Sequence, residues 1–254
     1  MSWLSPLSWF SPQRKLGYYP DEPDPRDIHL ADLVLKGMDL PRRVSLTERY
    51  SFSSRDQGAT NSCVGFAVST AIRAALEIDR KVRPELSALF VYYVSRKEHQ
   101  FGPLLLDGGT YLRTALKAVI RFGVPTERLH PASLGTSRAP SWRALRDAHD
   151  YRGVRGYYRI AAGDVHGVRL ALASGRPVVG GFLVGKSFLD TNGPHRIVQQ
   201  SAPFVGGHAL VVSGYDGDDF EIVNSWGPSW RNGGRAFVSE AFMGAGMDLW
   251  AIDT

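Results

Sequence analysis

The chain has 254 residues, of which 43% are apolar, and its formal charge is +5 at pH 7. This length and apolar content suffice for one full hydrophobic core, or for two smaller cores with a cleft between them. Lysine and arginine are scattered, with no basic run interleaved with aromatic residues, which argues against a nucleic-acid-binding protein. The single cysteine excludes an intrachain disulfide, so packing alone must stabilise the fold.

Residues 1–39 are predicted to form an extension ahead of the globular domain. The first ten are apolar but few, and Pro6 interrupts them. No basic residue precedes them, so they differ from a secretory signal, and we predict a peripheral tail. Prolines and acidic residues alternate over 18–27, which predicts extended or turned backbone. Two interpretations stay open: a short pro-segment or belt lying across the domain, or a flexible linker.

The only cysteine lies where a loop is predicted to become a helix. Apolar residues at spacings of three and four follow Cys63, which places its thiol in the first helical turn. A second helix is predicted from Ser87, and a third follows the Gly108-Gly109 pair and ends at a glycine. About 40–130 is therefore predicted to be a helical lobe.

The second half of the chain changes character after a short predicted helix from Asp164. Its predicted strands lie at 178–184, 208–215, 220–224, 236–238 and 249–252. An Asp216-Gly217 turn joins two of them as a hairpin. A helical lobe followed by an antiparallel β lobe, about 131–254, predicts an α+β fold with a cleft at the junction.

Cys63 is a candidate nucleophile because the unpaired N–H groups and the dipole of a helix start favour a thiolate. Such a nucleophile needs a proton acceptor within reach and a group that orients the acceptor. His208 is the preferred acceptor: it follows two glycines and is predicted to open a strand. It lies 145 residues after Cys63, within the range of about 130–150 typical of such pairs. The other six histidines lie in the extension or in polar, loop-like contexts typical of solvated side chains.

Asn224 ends the next predicted strand and is the candidate orienter of His208. Its side-chain oxygen can accept from the imidazole N–H, and Trp226 can cover this hydrogen bond and keep water away. Taken alone, a turn-forming asparagine and a core tryptophan are the ordinary interpretations. Their position beside His208 on the paired strand favours the functional interpretation.

Three motifs occur in a fixed order: Asp-Gln-Gly-x-x-x-Ser-Cys at 56–63, Gly-His-Ala at 207–209 and Asn-Ser-Trp-Gly at 224–227. With the glycine pair before a helix, this set resembles a papain-family cysteine peptidase of the compact, disulfide-free bacterial type, from about Leu40 to the C-terminus. The resemblance implies a two-lobed papain-like fold. A helical left lobe and an antiparallel, β-barrel-like right lobe would flank the active-site cleft.

The resemblance also implies a role for each matching residue. Cys63 would be the nucleophile, His208 the general base and acid, and Asn224 the orienter of the histidine. The Gln57 side chain would complete an oxyanion hole with the Cys63 backbone N–H. 

Three further residues would serve the substrate by the same resemblance. Gly108 and Gly109 would pair with the substrate backbone, while Trp226 would shield the triad and wall the leaving-group side.

Four positions depart from the family pattern. Val64 replaces the aromatic residue that usually follows the nucleophile, and Thr60 stands where a disulfide cysteine is usual. Gly207 precedes the histidine in place of an Asp or Asn, and Arg231 occupies a usual glycine position. None of these changes removes a catalytic group.

The predicted function is a cysteine-type peptidase that hydrolyses peptide bonds through an acyl-enzyme thioester. An acyl transferase or amidase using the same dyad, or a weakly active binding module of the same fold, stays open. No metal or organic cofactor is implied, because no zinc-type spacing occurs. The floor of the substrate subsites is expected to use Thr110 or Tyr111 and residues near Met243.

We expect a monomer that acts on peptide or protein substrates and does not bind nucleic acid. No apolar run reaches the roughly 18 residues of a membrane helix, so no transmembrane segment is predicted. The expected location is the cytoplasm, or export without a recognisable signal peptide.

Overall fold

The computed structural model describes residues 15–33, 39–50, 52, 54–100, 104–151, 154–197 and 202–253. The predicted tail at 1–10 lies outside these residues. The helices are α1 (Cys63–Arg80), α2 (Ala88–His99), α3 (Leu112–Phe122), α4 (Trp142–Asp150), α5 (Val165–Ala173), α6 (Lys186–Leu189) and α7 (Glu240–Gly244). None of the helices in these ranges is long and apolar enough to cross a membrane.

The strands are β1 (Tyr18–Tyr19), β2 (Arg43–Ser45), β3 (Thr110–Tyr111), β4 (Gly156–Ile160), β5 (Val178–Gly185), β6 (Arg196–Ile197), β7 (Phe204–Asp216), β8 (Asp219–Val223), β9 (Arg235–Ser239) and β10 (Asp248–Asp253). Within the described part of the chain, eight of them form one sheet in the order β4-β10-β5-β7-β8-β9-β6, with β2 also paired to β7. Its pairs are antiparallel except for β6 with β9. β1 and β3 form a separate parallel pair. This arrangement confirms the predicted α+β fold.

Helix α1 is the element on which the two lobes meet. Its residues are buried from Cys63 to Glu77, because helices α2 and α3 cover one side and the sheet covers another. Its side chains share one apolar cluster with residues of α3, β5, β7 and β10. A second cluster fills the sheet's other side, beneath α5 and α7. The start of α1 therefore lies at the junction of the lobes.

The structure departs from the sequence predictions in several elements. His208 does not open a strand, because β7 already begins at Phe204 and pairs with β5 through the two glycines. The predictions missed α4, whose short apolar face rests on Ala144 and Ala148, and the strand β4. Only two alanines of α4 are buried and most of β4 is half-buried, so neither element carries the apolar run or alternation on which such predictions depend.

A close helix contact depends on Gly65. A Cβ at this position would lie 2.4 Å from the Ala88 carbonyl oxygen and 2.9 Å from Tyr92 Cβ, so a larger residue would push α1 away from α2. We expect Gly65→Ala to lower the free energy of unfolding by about 1–3 kcal/mol, the usual cost of overpacking a well-filled core. Urea denaturation measures this change.

Gly244→Ala is the matched control, since a Cβ there meets its nearest neighbour at an ordinary 3.7 Å. It should leave the free energy of unfolding within about 0.5 kcal/mol of wild type. Equal destabilisation by both substitutions would show that the close approach of α1 to α2 is not what makes Gly65→Ala unfavourable.

Candidate active site

Two loops from opposite ends of the chain form the frame of the site. The Gln57 N–H donates to the Ser225 carbonyl at 2.9 Å, and the Gly227 N–H donates to the Arg55 carbonyl at 3.1 Å. The Ser225 hydroxyl also donates to Gln57 Oε1 at 2.6 Å. These bonds fix the loop before α1 against the loop after β8, so the side chains of the three sequence motifs converge.

His208 and Asn224 are held together at the centre of this frame. His208 Nε2 lies 2.7 Å from Asn224 Oδ1, and that oxygen also accepts the Ser225 N–H at 2.8 Å. The histidine ring lies 4.5 Å from the Trp226 ring, measured between centroids, with 33° between their planes. His208 and Trp226 are fully buried. The predicted orienter and cover of the imidazole are thus both in contact with it.

Nδ1 is the ring nitrogen of His208 that remains for proton exchange. It is buried and has no hydrogen-bond partner among the described residues. Since the bond to Asn224 occupies Nε2, the tautomer with hydrogen on Nε2 leaves a lone pair on Nδ1. The next residue, Ala209, donates its backbone N–H to the Cys63 sulfur, which brings this part of β7 against the thiol.

The thiol of Cys63 is enclosed on every side. Its exposure is 0%, and burial raises its pKa to about 11, although backbone N–H groups of Ala209, Gly17 and Val64 oppose that rise. Burial lowers the pKa of His208 to about 4, against the opposing effect of its bond to Asn224. With these surroundings the dyad is a neutral thiol and a neutral imidazole at pH 7. Burial outweighs the helix-start effect that the sequence suggested.

The side-chain amide of Gln57 points at a backbone carbonyl of the extension. Its Nε2 donates to the Lys15 carbonyl at 3.1 Å and to the Thr60 carbonyl at 2.7 Å. Gln57 is 4% exposed, so this donor lies in a largely water-free position where a hydrogen bond is strong. The amide therefore has an acceptor at the place where the sequence predicts an oxyanion.

The extension runs through the cleft as a strand. β1 pairs in parallel with β3, and the Thr110 N–H donates to the Gly17 carbonyl at 2.9 Å. A Cβ on Gly17 would lie 1.8 Å from the Asn61 carbonyl oxygen, and one on Gly109 would lie 2.6 Å from the Gly17 oxygen. Glycine at both positions is what allows this approach.

The glycine pair predicted to bind substrate lies beside this strand. The Gly108 carbonyl accepts a hydrogen bond from the Tyr19 hydroxyl. The Gly109 N–H already donates to the Tyr92 hydroxyl at 2.8 Å, so Thr110 supplies the backbone donor that meets the extension.

Comparison with known proteins agrees with this geometry. The family model described as papain family cysteine protease matches residues 40–242. The chain belongs to the papain family of cysteine proteases. The structure of xylellain, a cysteine protease from Xylella fastidiosa, superposes with a TM-score of 0.82 and 29% identity, covering 95% of this chain and 98% of that one.

Two further relatives of this papain-family chain lie at greater distance. An uncharacterized peptidase C1-like protein of Acanthamoeba polyphaga mimivirus is 28% identical over 85% of this chain and 78% of its own length. A cysteine protease of Carica candamarcensis, solved in complex with E-64, has a TM-score of 0.69 at 19% identity, covering 85% of this chain and 99% of that one. The second likeness concerns the fold.

The departures from the family pattern have local explanations in the structure. The Thr60 hydroxyl donates to the Gln57 carbonyl at 2.7 Å and so braces the loop without a disulfide. Arg231, at a usual glycine position, has a φ of 48°, in the region that favours glycine. Its guanidinium donates to the Ser187 carbonyl at 2.7 Å, which helps to hold this conformation. Val64 is fully buried, in the same apolar cluster as Cys63 and Tyr18.

Sequence reasoning missed the residues that the extension brings to the site, namely Lys15, Gly17 and Tyr18. It also missed Ser225, whose hydroxyl orients the Gln57 amide. Ser225 lies within the Asn-Ser-Trp motif, so its position beside Asn224 was a usable signal. The residues of the extension carry no such signal, because their partners are distant in sequence.

The buried, neutral His208 makes folding stability depend on pH. Its folded-state pKa, about 4, is below the unfolded value of about 6.5, so the unfolded chain binds more protons between these values. Its contribution to stability is therefore present above about pH 6.5 and is lost as the pH falls towards 4, by at most about 1.4 kcal/mol per pH unit. We expect the stability difference between wild type and His208→Ala to narrow over that range in urea titrations. A constant difference from pH 7.5 to 4.5 would contradict a buried neutral imidazole.

Proposed function

We propose that this protein is a monomeric cysteine-type peptidase that hydrolyses peptide bonds through an acyl-enzyme thioester on Cys63. The observation that carries the proposal is the fixed imidazole of His208. Its Nε2 is bonded to Asn224 Oδ1, and its Nδ1 is left without a partner among the described residues. Membership of the papain family supports the same reaction.

In the first half of the reaction, Nδ1 of His208 takes the thiol proton and the sulfur attacks the substrate carbonyl carbon. The carbonyl oxygen becomes an oxyanion that accepts from the Gln57 amide and the Cys63 backbone N–H. His208 then gives its proton to the leaving amine, the C–N bond breaks, and the thioester remains.

In the second half, His208 takes a proton from water, and the resulting nucleophile attacks the thioester carbonyl. The C–S bond breaks, the acid product leaves, and the proton returns to the sulfur. Asn224 holds the ring during both transfers and stabilises the imidazolium that forms, so its contribution is smaller than that of the nucleophile itself.

Cleavage of a fluorogenic dipeptide library tests this function. Cys63→Ala should abolish cleavage, because no nucleophile remains, whereas Asn224→Ala should lower kcat/KM by about 10- to 100-fold. His149→Ala is the matched control: this histidine is exposed on α4, far from the frame of the site, and should keep wild-type activity. Cleavage by Cys63→Ala at the wild-type rate would refute a thioester on this residue.

We further propose that residues 15–19 act as an inhibitory pro-segment or belt, in line with the first interpretation of the extension. The Lys15 carbonyl occupies the Gln57 amide, and the Gly17 N–H donates to the sulfur of Cys63. The strand thus fills the cleft and occupies groups that a substrate carbonyl would use. A substrate must displace it.

Displacing this strand should expose the thiol. Gly17→Val cannot keep its place, since a Cβ there would overlap the Asn61 carbonyl. We expect iodoacetamide to label Cys63 of this variant at least about tenfold faster than in the wild type. This is equivalent to about 1.4 kcal/mol in the free energy that holds the strand in the cleft. Arg26→Ala is the control: this exposed side chain bonds within the extension, to Asp24, and labelling should not change. Equal labelling of wild type and Gly17→Val would refute inhibition by residues 15–19.

A further inference from the structure

Three arginines and a tryptophan line a groove on the outer side of the helical lobe. The groove lies between α4 and the loop at 128–129 and has a volume of about 400 Å³. Helix α4 packs Ala148 against Phe90 of α2 and Ala118 of α3, which leaves its other face to solvent. The volume falls in the range of about 300–1,000 Å³ that is typical of ligand sites.

The tryptophan of this groove is Trp142, in the first turn of α4. It is 65% exposed, whereas the other tryptophans of the described chain are fully buried. The guanidinium carbons of Arg143 and Arg146 lie 5.5 and 5.9 Å from the centre of its ring, so both cations contact its π system. An aromatic ring held at the surface in this way is suited to anchor a partner.

The arginines of the groove differ from other exposed arginines of the fold in lacking a carboxylate. Arg43 pairs with Asp216 at 3.7 Å and Arg196 with Asp219 at 2.6 Å. The three in the groove are exposed and have no ion pair among the residues that the structure describes; they are Arg128, Arg143 and Arg146. Their charges are therefore available to a partner.

Two carboxylates also line the groove, and one of them is already engaged. Asp147 Oδ2 accepts the Thr126 N–H at 2.7 Å and the Thr126 hydroxyl at 2.9 Å. Asp150 is exposed and has no bonded partner within the described part of the chain. Three guanidinium groups thus face one free carboxylate, and this balance favours an anionic partner.

The shape and the lining of the groove favour a peptide over other anionic partners. A bilayer surface requires a broad apolar face, but the apolar side chains lining this concave groove are those of Leu129 and Trp142. Asp147 and Asp150 would repel a nucleic-acid backbone, which carries a charge at every phosphate. Carboxylate side chains of a peptide can approach the arginines separately, and a guanidinium binds each of them through two hydrogen bonds.

We propose that the groove between α4 and 128–129 is a docking site for an acidic peptide segment of a partner protein. Its carboxylates bind Arg128, Arg143 and Arg146, and an aromatic side chain beside them packs on Trp142. None of these four residues belongs to the candidate active site, so this docking function goes beyond the proposed peptidase function and does not depend on it.

Fluorescence anisotropy with the full-length protein tests the site. The probes are the labelled peptide Glu-Glu-Phe-Glu-Glu and its charge-reversed analogue Lys-Lys-Phe-Lys-Lys. We expect saturable binding of the acidic peptide alone, weakened by added salt because exposed charges are screened. Arg143→Ala/Arg146→Ala should raise the Kd at least about tenfold, because two charge-assisted contacts are lost. Trp142→Ala should also raise the Kd, since it removes the aromatic anchor.

The matched control is Arg43→Ala/Arg196→Ala. It removes the same charge from two exposed arginines that have carboxylates of their own, and it should leave the Kd unchanged. An equal rise of the Kd in both double variants would overturn the groove as the site, because attraction by net charge would then explain the binding. Absence of saturable binding by the acidic peptide would overturn it as well.

Two further probes decide the class of partner. Oligothymidylate and phosphatidylserine vesicles present phosphate groups without a peptide, and weaker binding of both than of the acidic peptide would support the proposal. Tighter binding of either probe, lost in Arg143→Ala/Arg146→Ala, would overturn a peptide as the occupant of the groove.

Discussion

The active site depends on two backbone hydrogen bonds that join 55–57 to 225–227. One loop leads into α1 and the other leaves β8, so these bonds connect the start of a helix to the end of an interior strand of the sheet. They help to fix the proposed nucleophile relative to its proposed base, because neither Cys63 nor His208 could shift without moving an element of the core. The Ser225 hydroxyl extends the same connection to the Gln57 amide. The packed domain thus restrains four side chains, those of Cys63, His208, Ser225 and Gln57.

Burial determines the electrostatics of the Cys63 and His208 pair. A thiol and an imidazole that are both fully enclosed stay neutral, since transfer of a proton between them would create two charges in a dry site. Entry of water or of a substrate carbonyl reduces that penalty and lets the helix-start N–H groups favour the thiolate. In the proposed inhibition, the extension therefore acts on the reactivity of Cys63 through solvent exclusion as well as by filling the cleft.

The sequence predicts contacts between residues close along the chain better than contacts between residues far apart along it. Cys63, His208 and Asn224 were found because each lies in a short motif whose neighbours determine its backbone. Tyr18 was missed because its partner Asp248 lies 230 residues away, and no local pattern reports such a pair. Met243 is buried in the apolar cluster beside the sheet. The expectation that residues near it form a subsite floor stays a prediction. The boundaries of the extension and lobes remain predictions.

Two buried groups have opposite effects on stability in acid while the extension lies in the cleft. Burial and the charge of Asp248 raise the pKa of Asp21 to about 6, so its contribution to stability grows as the pH falls through 6. The lowered pKa of His208 makes its contribution shrink over the same interval. Asp21 belongs to the extension and His208 to the cleft. Their opposite effects on the free energy of unfolding therefore offset each other only while the extension is in place. Acid therefore stabilises the bound extension through Asp21. It also destabilises the buried His208 imidazole that the extension covers.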